Sequence, residues 1–160
     1  MNLHDMTQMF LSEKAQGVLN LLKRRGWLKK FELLKSRREV SLHRIPRYSR
    51  PCGFIDVVWF NDIHRSPSGV KFVAFEVELG DNPIQIVREA RWRYGRYMFH
   101  PQLGYVRVTP SNMIIILVVK DEYKDIIENE VKHQLNVKHY SYIRVLTLSE
   151  VIYMVRVLVG

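Results

Sequence analysis

Seven consecutive apolar residues, Met113 through Val119, set the strongest limit on what this chain can fold into. A strand sends alternate side chains to opposite faces, so an unbroken apolar run of this length needs cover on both faces. The run is far short of the ~20 residues that span a bilayer, and the chain holds no longer one. It therefore predicts a central strand in a sheet covered by helices on both sides.

The segments around it supply those helices and further strands. Leu11, Ala15, Val18 and Leu22 recur at spacings of four, three and four, which predicts one amphipathic helix over residues 7–25, stopped near Gly26. Residues 27–35 suit either a strand or a continuation of that helix, with a lean to strand. Arg37–Pro51 is basic, holds two prolines, and is expected to be a loop or irregular hairpin. Phe54–Phe60 and Val70–Leu79 predict two strands joined through the turn Asn61–Gly69. Gly80-Asp81-Asn82-Pro83 signals a helix start, with the helix expected from Pro83 to about Met98. Beyond Met113–Val119, a helix is expected over 121–134, a strand over Tyr142–Leu146, and a closing helix opened by Ser149 and Glu150. The expected fold is a single α/β domain over residues 1–160, a mixed β-sheet flanked by helices in the order αβββαβ with an extra αβα.

Charge points to a polyanionic partner without fixing it. The net charge is +9, and residues 1–50 hold twelve Lys or Arg against four acids. A second basic cluster, Arg88, Arg91, Arg93 and Arg96, is interleaved with Trp92, Tyr94 and Tyr97. Such fields attract nucleic acid, although a solvated basic surface has the same composition. Cys52 is the only cysteine, which excludes an internal disulfide and suggests an intracellular, cytoplasmic protein. The amino-terminal residues do not resemble a signal peptide. The six histidines show no metal-ligand spacing, and no P-loop segment is present.

The acidic residues of the expected hairpin carry more chemistry. Glu76 and Glu78 are two apart, so they share a strand face with Phe72 and Ala74, and Asp56 lies on the neighbouring strand between Phe54 and Val58. An isolated Glu-x-Glu most often lines a solvated face. Carboxylates continuing apolar faces are costly without a partner, and three converging anions call for a cation or protons. An all-oxygen set of this kind suits Mg²⁺ or Mn²⁺, which acidifies bound water and stabilises charge on a phosphate.

Gly53-Phe54-Ile55-Asp56 and Phe75-Glu76-Val77-Glu78, followed by a helix and a buried strand, resemble the PD-(D/E)XK phosphodiesterase superfamily of restriction-endonuclease-like nucleases. As an order of elements the resemblance covers roughly residues 8–147; small nucleases of archaea and their viruses are among its members. It implies a metal-dependent deoxyribonuclease, with Asp56 and Glu76 as metal ligands. The family's motif lysine is replaced by Glu78, which the resemblance makes a further ligand or the base. Gln85 and Arg88, one turn apart on the following helix, are candidates for the lysine's work. Glu13 matches a glutamate that the family often carries on its first helix. Arg37, Arg38, Arg44, Arg47, Arg50, Arg91, Trp92 and Arg96 are the candidate nucleic-acid contacts. Members of the family often pair to cut both strands, so a homodimer is an open expectation, although no heptad or exposed apolar helix in the sequence demands one. The resemblance places the protein in a host cytoplasm if its source is viral. Two other functions compete: a DNA-binding module that has lost catalysis, and a protein-interaction domain for an acidic partner.

Overall fold

The computed structural model describes residues 1–66, 68–134 and 142–160; Pro67 and His139 fall outside them. Met113–Val119 is strand β6, with all seven residues buried, and it sits inside a five-stranded mixed sheet of order β1-β2-β3-β6-β7. The other strands are β1 (Leu33–Leu42), β2 (Gly53–Asn61), β3 (Phe72–Glu78) and β7 (Ile143–Thr147). β1, β2 and β3 pair antiparallel in succession, whereas β6 runs parallel to both of its neighbours. Helices cover both faces. Ile86, Val87 and Ala90 of α3 (Pro83–Trp92) and Ile127 and Val131 of α4 (Lys124–Gln134) pack on one face, against Ala74, Ile115 and Leu117. Leu11 of α1 (Leu3–Glu13), Val18 and Leu22 of α2 (Ala15–Arg24) and Met154 of α5 (Leu148–Val159) pack on the other, against Trp59, Phe75 and Ile116. The expected α/β class and the flanked mixed sheet are what is found.

Several expectations are corrected. The single helix over 7–25 is two helices, broken at Lys14 with φ −103° and ψ 27°. The cause is tertiary. Trp59 Nε1 donates to the Leu11 carbonyl at 3.0 Å, and Ser36 Oγ donates to the Ser12 carbonyl at 2.6 Å. Sheet side chains thereby take two acceptors that a continuous helix would use itself, and the ladder breaks there. The stop near Gly26 stands: its φ of +86° lets the Trp27 amide turn back onto the Leu22 carbonyl at 2.9 Å.

Arg37–Pro51 is not all loop, because residues 37–42 belong to β1, whose register runs along the whole of β2. As an edge strand, β1 has a free side that tolerates Lys35, Arg37 and Arg38, so its sequence lacks apolar alternation. The helix expected to reach Met98 ends at Trp92. Gly95, at φ +92°, turns the chain into a ribbon of β4 (Tyr97–His100) and β5 (Gly104–Arg107), tied to the end of β1 by His43 and Tyr97. The last helix starts at Leu148, with Thr147 as its cap and Glu150 completing a capping box. Exposed Leu3, Met6, Ile152 and Val159 on α1 and α5 form the apolar helix surface that the sequence pattern did not suggest. No helix among the described residues is long and apolar enough to cross a membrane.

Because β6 is buried on both faces, its side chains have no route to collapse around a cavity. Ile116→Ala is expected to lower stability by about 2–5 kcal/mol and Ile116→Val by about 0.5–1.5 kcal/mol, both measurable by urea denaturation.

Candidate active site

The site forms where β2 and β3 part. Their pairing runs from Phe60 opposite Phe72 to Val57 opposite Phe75. At the next position Asp56 Oδ2 accepts a hydrogen bond from the Val77 amide at 2.8 Å, so a side chain replaces the backbone rung. On the other edge of β2, the pairs Arg38–Val57 and Val40–Ile55 put Glu39 across from Asp56. Glu39 sits at φ +53°, a left-handed conformation unfavourable for a glutamate. Strict alternation slips here: Ile55 and Val58 join one core and Val57 the other, so Asp56 occupies the twist rather than a regular face between Phe54 and Val58.

Glu76 and Glu78 continue the face of Phe72 and Ala74, as their spacing predicts, and Val73, Phe75 and Val77 pack on the opposite side. Glu76 is 4% exposed. Its Oε2 accepts from the Arg93 guanidinium at 3.2 Å, while its Oε1 is buried with no partner. Burial pushes the Glu76 carboxyl from an ordinary 4.5 up to about 8; Arg93 opposes the shift, and the charges of Asp56 and Glu78 add to it. Burial, and then the charges of Glu89 and Asp56, push half-buried Glu78 up to about 7. Asp56 is also raised by burial, against the lowering effect of the Val77 amide and of His4. All three carboxyls thus hold protons more tightly than free side chains do.

Helix α1 crosses the cluster on one side. His4 Nε2 lies 3.4 Å from Asp56 Oδ2. One turn on, buried Gln8 donates to Glu39 Oε1 at 3.2 Å and accepts two bonds from Arg38. Glu13 is not brought to the site. It lies nine residues from His4, half a rotation round the helix, and is exposed beside the apolar side chains of α1 and α5.

Helix α3 closes the other side. Gln85, Glu89 and Arg93 follow at four-residue spacing, on one line down the helix. Gln85 reaches the cluster only through its bond to Glu89, at 3.0 Å, and Arg88 is exposed off that line. Arg93 holds the position next to Glu76 and was missed as a site residue; its four-residue step from Gln85 and Glu89 was the available signal. His4 was missed because the first helix starts at Leu3, ahead of the expected position 7.

Gly53 lies beside Arg93 and Trp92: a Cβ there would meet both the Arg93 guanidinium and the Trp92 ring at 3.4 Å, an ordinary contact distance. Trp92 is not a free stacking surface, since its ring packs on the core and Arg96 lies 4.0 Å over it. Arg91 is exposed on α3; Arg37, Arg38, Arg44, Arg47 and Arg50 are exposed on β1 and the connection that follows.

The donor chemistry fits a hard dication such as Mg²⁺ or Mn²⁺, being all oxygen with one orphaned buried acceptor. The spacing is more open: among the described residues, no three His, Cys, Asp or Glu side chains stand close enough to enclose an ion.

The pH dependence of stability follows from Glu76. Its folded pKa is above its unfolded value, so the folded state holds a proton that the unfolded chain has released. That contribution is complete below about pH 4.5 and is lost as pH rises towards about 8. Urea denaturation is expected to show the wild type losing on the order of a few kcal/mol between these limits relative to Glu76→Gln, with parallel curves above them.

No protein-family model, no curated protein and no solved structure matches this chain.

Proposed function

We propose that this protein is a metal-dependent nuclease hydrolysing DNA phosphodiester bonds on a restriction-endonuclease-like core. The observation that carries the reading is the gathering of Asp56, Glu76 and Glu78 at parted strands, with the Glu76 Oε1 buried and unpartnered. The antiparallel β2–β3 hairpin, the helix α3 and the parallel strand β6 support the same reading, and the exposed arginines supply a surface for a polyanion.

Asp56 and Glu76 would hold Mg²⁺ or Mn²⁺, with Glu78 as a further ligand or as the base. The ion supplies Lewis acidity for the scissile phosphate and a lowered pKa for bound water. The chain's own residues do the positioning. The Val77 amide fixes Asp56, and Arg93 fixes Glu76. Arg93 also provides a permanent positive charge beside Glu76, although the superfamily's lysine position itself is taken by Glu78. A guanidinium does not give up its proton, so it stands in for that lysine's electrostatic work only. Proton acceptance then falls to Glu78, whose pKa of about 7 suits a base at neutral pH.

A DNA-binding module without catalysis is the second reading. The open spacing of the carboxylates and the Arg93 bond to Glu76 favour it.

End-labelled oligonucleotides incubated with millimolar Mn²⁺ separate the two. The nuclease reading expects cleavage that Glu76→Gln and Asp56→Asn abolish and that Arg93→Ala slows by about a hundredfold. Equal cleavage by the wild type and Glu76→Gln would overturn it. Salt-sensitive binding with no cleavage assigns the protein to the second reading.

A further inference from the structure

We infer that the cleft between β1 and the β4–β5 ribbon binds unpaired bases, making the substrate a nucleic acid with a single-stranded segment. This rests on the proposed reading only in taking nucleic acid as the partner. The cleft is about 320 Å³, lined by Arg37, Val40, His43, Tyr48, Phe99 and Tyr105 among others. That is the small end of the range for ligand sites, room for a base but not for a duplex.

Its surface is aromatic and unusually open to water. Tyr48 is 90% exposed and Phe99 49% exposed. Phe99 is braced edge-on by Tyr105 at 5.4 Å, and Tyr105 in turn by His43 at 5.5 Å. A braced ring is held ready for a flat partner. Arg37 lines the cleft, and exposed Arg44, Arg47 and Arg50 lie on the same connection as Tyr48; none of the four has an acidic partner among the described residues. Exposed rings set among unpaired guanidiniums suit the flat faces and phosphates of a single strand. Bases in a duplex stack on each other and offer no such face, so duplex is held by its backbone alone.

Glu39 links the cleft to the carboxylate cluster. The sole acid in its lining is Glu39, which lies across from Asp56 and is held by Gln8. A strand with bases in the cleft would bring its next phosphodiester towards Asp56. The preferred ligand is therefore an overhang or flap; on the proposed nuclease reading the cut falls near the junction of paired and unpaired DNA.

The test is fluorescence anisotropy in EDTA, with labelled single-stranded, blunt duplex and overhang-bearing oligonucleotides. Wild type is expected to bind the single strand and the overhang at least about tenfold tighter than the blunt duplex. Tyr48→Ala and Phe99→Ala, both at exposed positions, are each expected to weaken the single strand by about fivefold to a hundredfold and leave the duplex within about twofold. Equal affinity for all three, or substitutions without effect on the single strand, would overturn the inference. Because no metal is present, the result is independent of catalysis. Metal-dependent cleavage with no single-strand preference removes the cleft and leaves the nuclease; single-strand preference without cleavage supports the cleft and removes the nuclease.

Discussion

A single hydrogen bond, from the Val77 amide to the Asp56 carboxylate, organises the candidate site of this molecule. While β2 and β3 stay paired, their facing edges are spent on each other. Once a carboxylate substitutes for a rung, the strands part without leaving the Val77 amide bare, and acids stand where the ladder ends. Glu76 and Glu78 share one face of β3 at that end. Helices α1 and α3 then need only reach across the two sides, with His4 and Gln8 on one and Glu89 and Arg93 on the other.

The cost of this arrangement is local and visible. Glu39 accepts a left-handed backbone, Glu76 is buried with one oxygen unpaired, and three acids sit within reach of one another's charge. Each is unfavourable alone. They persist because the flanking structure is over-determined: β6 is buried along its whole length, and large rings such as Trp59, Phe60 and Phe75 fill the two cores. Destabilising groups collected in one place, next to an otherwise well-packed sheet, are what a binding or catalytic site looks like energetically.

Much of the sheet was legible in the sequence, and the reason is periodicity. The unbroken run of β6 demanded two covered faces, and the alternation in β3 put Glu76 and Glu78 with Phe72 and Ala74. What stayed hidden came from contacts between distant segments. Nothing in residues 7–25 announces that Trp59 and Ser36 will take the carbonyls of Leu11 and Ser12. Edge strand β1 escaped because its free side asks for no apolar pattern, and the β4–β5 ribbon because Tyr94 to Met98 also suits a helix until Gly95 turns it. Of the site, the acids could be found by face. Arg93 shares a helix line with Gln85 and Glu89, but which line faces the acids, and that His4 does so, depends on where α3 and α1 cross the strands. Glu13 and Arg88 were sound choices by type, yet they fall on the wrong sides of their helices.

Gly53 shows how far the chemistry of Glu76 reaches into the rest of the chain. It begins β2 beside Arg93 and Trp92, so a side chain placed there would pack directly on the guanidinium that holds Glu76. What stands at the start of β2 thereby bears on the charge state of a carboxyl on β3, through the position of Arg93. A methyl group at 53 fits at ordinary contact distance, whereas a longer side chain would compete with Trp92 and the Arg93 guanidinium for the same space.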